Sequence, residues 1–194
     1  MQVQLLLNKL SSLEVKTICP LHGPILDENI EYYINKYNIW SKYESEDDGI
    51  FIAYNSIHGN TRKAVEYLDE ILKYKGVKNV IVTDLARCDM AEAIEDAFRY
   101  SKLIVATPTY DAGLFPFTET FLNELKHKNY QNKKIGIIEN GSWAPMAAKC
   151  VKEALGNMKN IVFCDTIVTI KSKMKEENKK ELNKLVDEIL GGEK

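Results

Sequence analysis

Ser56 and Thr61 place two hydroxyls around Ile57-His58-Gly59-Asn60, directly after the apolar run Ile50-Phe51-Ile52-Ala53-Tyr54. Such a loop can enclose an anion. Gly59 lets the backbone fold tightly, and a helical pattern opening with Arg62, Ala64, Val65 and Leu68 offers the unpaired N–H groups of a first turn. No G-x-G-x-x-G follows this strand and no G-x-x-x-x-G-K-[ST] occurs anywhere, so neither a dinucleotide nor a triphosphate is favoured. The loop holds no Lys or Arg, which leaves hydroxyls, amides and the helix dipole to hold the charge. A terminal monophosphate suits that best. A plainer reading stands beside it, because a Ser/Thr/Gly turn between strand and helix also serves as a simple cap.

The elements that must position this loop follow from residue 50 onward, where short β-rich runs alternate with helical patterns. The strand and its helix (Ala64, Val65, Leu68, Ile71 and Leu72 on one face) lead to a run from Val77 to Asp84. A helix with Met90, Ile94, Ala97 and Phe98 comes next, then the strand Leu103 to Thr107. Phe117, Phe121, Leu122 and Leu125 mark another helix, Ile135 to Ile138 a fourth strand, and Ala147, Val151 and Leu155 its helix. A fifth strand lies within Ile161 to Ile170, and Leu182, Leu185, Val186 and Ile189 stripe a final Lys/Glu-rich, solvated helix. Five strands and five helices predict a doubly wound α/β fold with a parallel sheet in the order 2-1-3-4-5, whose crevice lies beside strands one and three.

That topology brings the loops after strands one, three and four to one crevice. After strand three stands Pro108-Thr109-Tyr110-Asp111-Ala112-Gly113-Leu114-Phe115-Pro116, and after strand four Glu139-Asn140-Gly141-Ser142-Trp143-Ala144-Pro145. Tyr110 and Trp143 offer flat faces and Ser142 a donor, which an isoalloxazine ring requires; taken singly, either aromatic could equally be an ordinary core residue. Ser-x-x-Gly-Asn-Thr after a first strand resembles the phosphate loop of flavodoxin-like proteins, which cradle flavin mononucleotide (FMN). The three segments together more closely resemble the flavodoxin half of flavodiiron proteins, with His58 departing from the usual aromatic or threonine. A solvent-facing loop histidine is the expectation there. The resemblance implies FMN on Ser56, Ile57, His58, Gly59, Asn60 and Thr61, with the ring among Pro108, Thr109, Tyr110, Asp111, Gly113, Leu114, Phe115, Asn140, Gly141, Ser142 and Trp143.

Val15-Lys16-Thr17-Ile18-Cys19-Pro20-Leu21-His22-Gly23-Pro24-Ile25 and an amphipathic segment ending near Tyr37 to Trp40 resemble the closing strand and helix of the family's metallo-β-lactamase-like domain. His22 then stands where that domain has its last iron ligand. His22, His58 and His127 are the only histidines, and no H-x-E-x-D-H cluster accompanies them, so no metal site is expected. The expected division is residues 1–48, a remnant plus the acidic linker Glu44 to Gly49, and residues 49–194, the FMN-binding domain. On this resemblance the chain is the carboxyl-terminal portion of a longer protein or a natural short form.

Composition sets the outer limits. Lys plus Arg at 26 against Asp plus Glu at 28 gives a net charge of -2 over 194 residues, with no basic block to suggest nucleic acid or an anionic membrane. No apolar run approaches a bilayer span and the amino terminus lacks signal-peptide character, so a cytoplasmic protein is expected. Cys19, Cys88, Cys150 and Cys164 are scattered and read as reduced thiols. The resemblance implies an electron carrier with no catalytic side chain, served by a rubredoxin-like partner or a reductase. Head-to-tail dimers occur in the family, and a homodimer stays open here. An NAD(P)H:quinone reductase and a flavin-free interaction domain are the alternatives. A phosphoryl-accepting receiver ranks last, since Tyr54-Asn55 stands where acids would cluster.

Overall fold

The computed structural model describes residues 2–191 of the chain. Two units divide it, Met1–Glu46 and Asp47–Lys194. In the first, helix α1 (Gln2–Leu10) and helix α2 (Ile30–Ser41) are joined through Gln4, whose amide donates to Ser41 Oγ at 2.7 Å and Asn38 Oδ1 at 3.0 Å. No residue of either helix is buried. The strand expected across Val15 to Ile25 is only an isolated bridge, Ile18 to Leu26. Pro20 and Pro24 lack the N–H that a ladder needs, and Gly23, at φ 114°, turns the chain between them. Trp40 Nε1 donates to Glu46 at 2.5 Å and Lys36 pairs with the same carboxylate, while Asp47 already begins the next strand, so much of Glu44 to Gly49 is not free linker.

In the second unit the order is β1 (Asp47–Tyr54), α3 (Asn60–Tyr74), β2 (Val80–Asp84), α4 (Met90–Arg99), β3 (Tyr100–Tyr110), β4 (Gly113–Leu114), α5 (Pro116–His127), β5 (Lys133–Asn140), α6 (Ala147–Leu155), β6 (Ile161–Ile170) and α7 (Glu176–Ile189). The parallel strands lie in the order β2-β1-β3-β5-β6, the doubly wound order expected, and β4 adds a short antiparallel flap on β3. Ile50 to Ala53 are fully buried, as a central strand covered on both faces requires. Ile50, Ile52 and Tyr54 pack with the apolar stripes of α3 and α7, whereas Phe51 and Ala53 pack with those of α4, α5 and α6. Each fully buried Ile or Phe here contributes roughly 1.5–3 kcal/mol.

Two departures from the sequence pattern have local causes. The second strand starts at Val80, not Val77, because Gly76 at φ 78° ends α3 with Gly76 N–H on Lys73 O and Val77 N–H on Leu72 O. In β6 the register jumps from Ile135↔Phe163 to Ile137↔Ile167, so two extra residues bulge out. Asp165 and Thr166 there donate their amides to the Glu188 carboxylate of α7, at 3.0 Å for Thr166.

Candidate functional site

Tyr54↔Ala106 and Pro108↔Asn140 are paired across the sheet, which levels the carboxyl ends of β1, β3 and β5 and gathers their loops. Between Tyr54 and α3 the chain makes the loop Asn55 to Gly59. Gly59 adopts φ 80° at the N-cap, with open space where a Cβ would stand. The Ser56 hydroxyl accepts the Arg62 amide at 3.2 Å. Among the described residues no backbone acceptor meets the N–H groups of Ser56, Ile57, His58, Gly59, Asn60 or Thr61. Six consecutive amides therefore have no protein acceptor at the N-terminal end of a fifteen-residue helix, where the dipole is positive.

A buried polar network supports the loop from below. Thr118 Oγ1 lies 2.6 Å from Asn55 Oδ1 and 2.9 Å from Thr107 Oγ1, and all three residues are fully buried. Asn55 Nδ2 is buried with no hydrogen-bond partner, an orphan donor immediately before the loop. Burial, then the charge of Asp84, raises the Tyr54 phenol above its ordinary value.

A second helix N-terminus, that of α6, reaches the same crevice but is already occupied by the protein. Met146 and Ala147 donate their amides to Thr109 Oγ1 at 2.9 and 3.2 Å, and Ala148 donates to Glu139 Oε2 at 2.9 Å. The loop between β5 and α6 is consequently tight. A Cβ on Gly141 would sit 3.1 Å from Pro145 Cα and 3.2 Å from Thr109 Oγ1. Of the two helix ends at the crevice, only α3 is free to bind an anion.

One cavity brings together Ser56, Ile57, His58, Asn60, Thr61, Pro108, Thr109, Asn140, Gly141 and Ser142. A second, lined by Thr109, Asp111, Ala112, Gly141, Ser142, Trp143 and Ala144, continues it through the residues they share. Gly59 shapes the loop without lining either. Tyr110, Gly113, Leu114 and Phe115 also lie outside both: Gly113 and Leu114 pair back on β3, and Tyr110 meets Phe115 edge-on at 5.5 Å. Trp143 is 97 % exposed and Tyr110 49 %, so the two planes stand open to solvent at the rim. His58 is exposed too.

Ser172, absent from the sequence reading, completes the first cavity. Asn140 holds it in place, its amide donating to Ser172 O at 3.0 Å and its Oδ1 accepting the Ser172 amide at 3.2 Å. Ser142 and Ser172 hydroxyls are 3.3 Å apart. The only available signal was positional, a small polar residue just past the fifth strand of the expected sheet.

No protein-family model matches the chain. An uncharacterized protein of Methanocaldococcus jannaschii is 28% identical over 178 residues, 91% of this chain and 45% of its own. The rubredoxin oxygen:oxidoreductase of Desulfovibrio gigas superposes with a TM-score of 0.87 at 22% identity, over 97% of this chain and 47% of that one. A flavo di-iron protein variant of Thermotoga maritima gives a TM-score of 0.77 at 26% identity, over 95% of this chain and 46% of that one. Flavodoxin 1 of Bacillus cereus aligns over 100% of its length with 76% of this chain, at a TM-score of 0.64 and 16% identity. The chain spans about half the length of the curated relatives it matches. It carries a flavodoxin-like domain, and over nearly its whole length it is similar to about half of a flavodiiron protein.

Proposed function

We propose that the crevice binds FMN and that the domain carries electrons. The run of six unpaired amides from Ser56 to Thr61 supports this reading above all, because it suits a terminal oxyanion such as the phosphate of FMN. Ser56, Ile57, His58, Gly59, Asn60 and Thr61 hold the phosphate, with the Asn55 amide available behind them. Pro108, Thr109, Asn140, Gly141, Ser142 and Ser172 flank the chain leading to the ring. Asp111, Ser142 and Trp143 border the ring end, with Tyr110, Gly113, Leu114 and Phe115 behind it as a hairpin support. Bound FMN supplies one- or two-electron redox chemistry, and no side chain of this chain makes or breaks a bond. Covering Trp143 with a ring removes an exposed aromatic from water, which is favourable in itself.

The electron donor in this reading is a small redox protein of the rubredoxin kind, or a reductase. The name of the Desulfovibrio protein, which joins rubredoxin to oxygen, motivates it. Residues 1–48 belong in this reading with a metal-bearing partner domain, although no group of three His, Cys, Asp or Glu is placed to hold a metal among the described residues. The four free cysteines suit a reducing, cytoplasmic setting.

Titration of the purified chain with FMN, followed by its visible spectrum, tests the proposal. Stoichiometric yellow complex is expected, and Thr61→Asp, which sets a carboxylate against the phosphate, is expected to abolish it. Tight binding by Thr61→Asp would remove the phosphate from this loop. Rapid bleaching of the complex by NADPH alone would replace the carrier with an NAD(P)H-dependent reductase, and no binding at all would leave a flavin-free interaction domain.

A further inference from the structure

Among the described residues Glu139 is the only buried acid, 6 % exposed, at the carboxyl end of β5. Its Oε2 accepts the Ala148 amide at 2.9 Å and its Oε1 accepts the Thr169 hydroxyl of β6 at 2.9 Å. An acid confined there, when an alanine would fill the strand end at lower desolvation cost, calls for a function. The neighbouring bonds indicate one. Glu139 and Thr109 together take the first three amides of the α6 end, and the segment Gly141 to Pro145 is suspended between that end and Asn140. At the other end Asn140 is fixed by two bonds to Ser172. Ser142 and Trp143 therefore belong to a loop held at its start by the Asn140 clamp and by the Gly141 amide donating to Ile170 O at 2.9 Å, and at its far end by the side chains of Thr109 and Glu139 alone.

We infer that Glu139 is a positioning residue for the ligand: by holding the α6 end it keeps the Gly141 to Pro145 loop in the shape that walls the ring end of the crevice. This rests on the flavin reading. The carboxylate touches no ligand atom and acts through the Ala148 amide. It also keeps the α6 dipole neutralised, so the phosphate has one helix end to choose. Gly141 and Ser142 reach both cavities, but Trp143 and Ala144 line only the one away from the Ser56 to Thr61 loop, so disordering this segment should weaken isoalloxazine ligands with or without a phosphate.

The test uses the full chain with Glu139→Ala and Glu139→Gln. Amide hydrogen exchange at Ala148 is measured on ligand-free protein, and affinity is measured for both FMN and riboflavin, which lacks the phosphate. Glu139→Ala is expected to speed exchange at Ala148 and weaken both flavins by the same factor, about tenfold, since a charged hydrogen bond is lost. Glu139→Gln is expected to restore most of both, because its amide oxygen still accepts from Ala148. If Glu139→Ala does not fold, Glu139→Asp, one methylene shorter, decides between the same outcomes. A folded Glu139→Ala chain with unchanged flavin affinities overturns this role alone. A loss for FMN without a loss for riboflavin overturns it too, by moving the effect to the phosphate end. A wild-type chain that binds neither flavin overturns the cofactor reading, and this role with it.

Discussion

At Gly141 a single hydrogen stands where an added Cβ would come within 3.1 Å of Pro145 Cα, so the Pro145 backbone would have to give by a few tenths of an ångström. Gly141→Ala is therefore expected to reshape the loop and lower FMN affinity about tenfold or more, with little change in the sheet, as read by flavin titration beside a thermal melt. Trp143 is the opposite case, a side chain 97 % exposed that supports nothing in the fold. Trp143→Ala should leave the melting temperature unchanged and weaken flavin binding or shift its potential. An unchanged titration would take Trp143 out of the site. These roles differ in how they could be read in advance. Ser56, Gly59 and Thr61 stand out by type and spacing, whereas Ser172 is one serine among several and lines the cavity because Asn140 ties the end of β5 to the segment after β6.

Among the elements, the strand–helix alternation was legible because the central strands are buried on both faces and the helices on one, which writes two different periods into the chain. Three features escaped it. The flap β4 is two residues long, too short to carry a period, and the β6 bulge adds residues without altering the apolar tally. Helix α1 escaped as well, having no buried face to pattern. The bulge has a pH consequence. Burial raises the Glu188 carboxyl, but hydrogen bonds from the Thr166 and Asp165 amides outweigh it and leave the group below its ordinary value. A depressed carboxyl stabilises the fold above its unfolded value and loses that contribution as pH falls through the folded one. Glu188→Gln is expected to lower the melting temperature at neutral pH and to flatten its decline on acidification, checked by melts from neutral pH to below the carboxylate range. An unaltered pH profile would show that the bulge does not depend on this charge.

For the molecule as a whole, the two units differ in what holds them. The unit Asp47–Lys194 has a core on each face of its sheet, while neither helix of Met1–Glu46 buries a residue. A chain beginning at Asp47 is accordingly expected to fold cooperatively and keep full flavin affinity, measured by melting and titration; failure to fold would assign the first unit a structural duty toward the second. Cys164 offers a reporter for the same experiment. Burial, assisted by Glu188, pushes its thiol up to about 11, so alkylation at neutral pH should be slow until the sheet opens.

The unpaired amides from Ser56 to Thr61 have a practical consequence for anyone handling the protein. A seat built from backbone N–H groups does not distinguish one tetrahedral oxyanion from another by shape alone, so inorganic phosphate or sulfate in the buffer competes for it. If FMN occupies this seat as proposed, its retention depends on the buffer anion, and added FMN is expected to stay with the protein through desalting in chloride more completely than in phosphate.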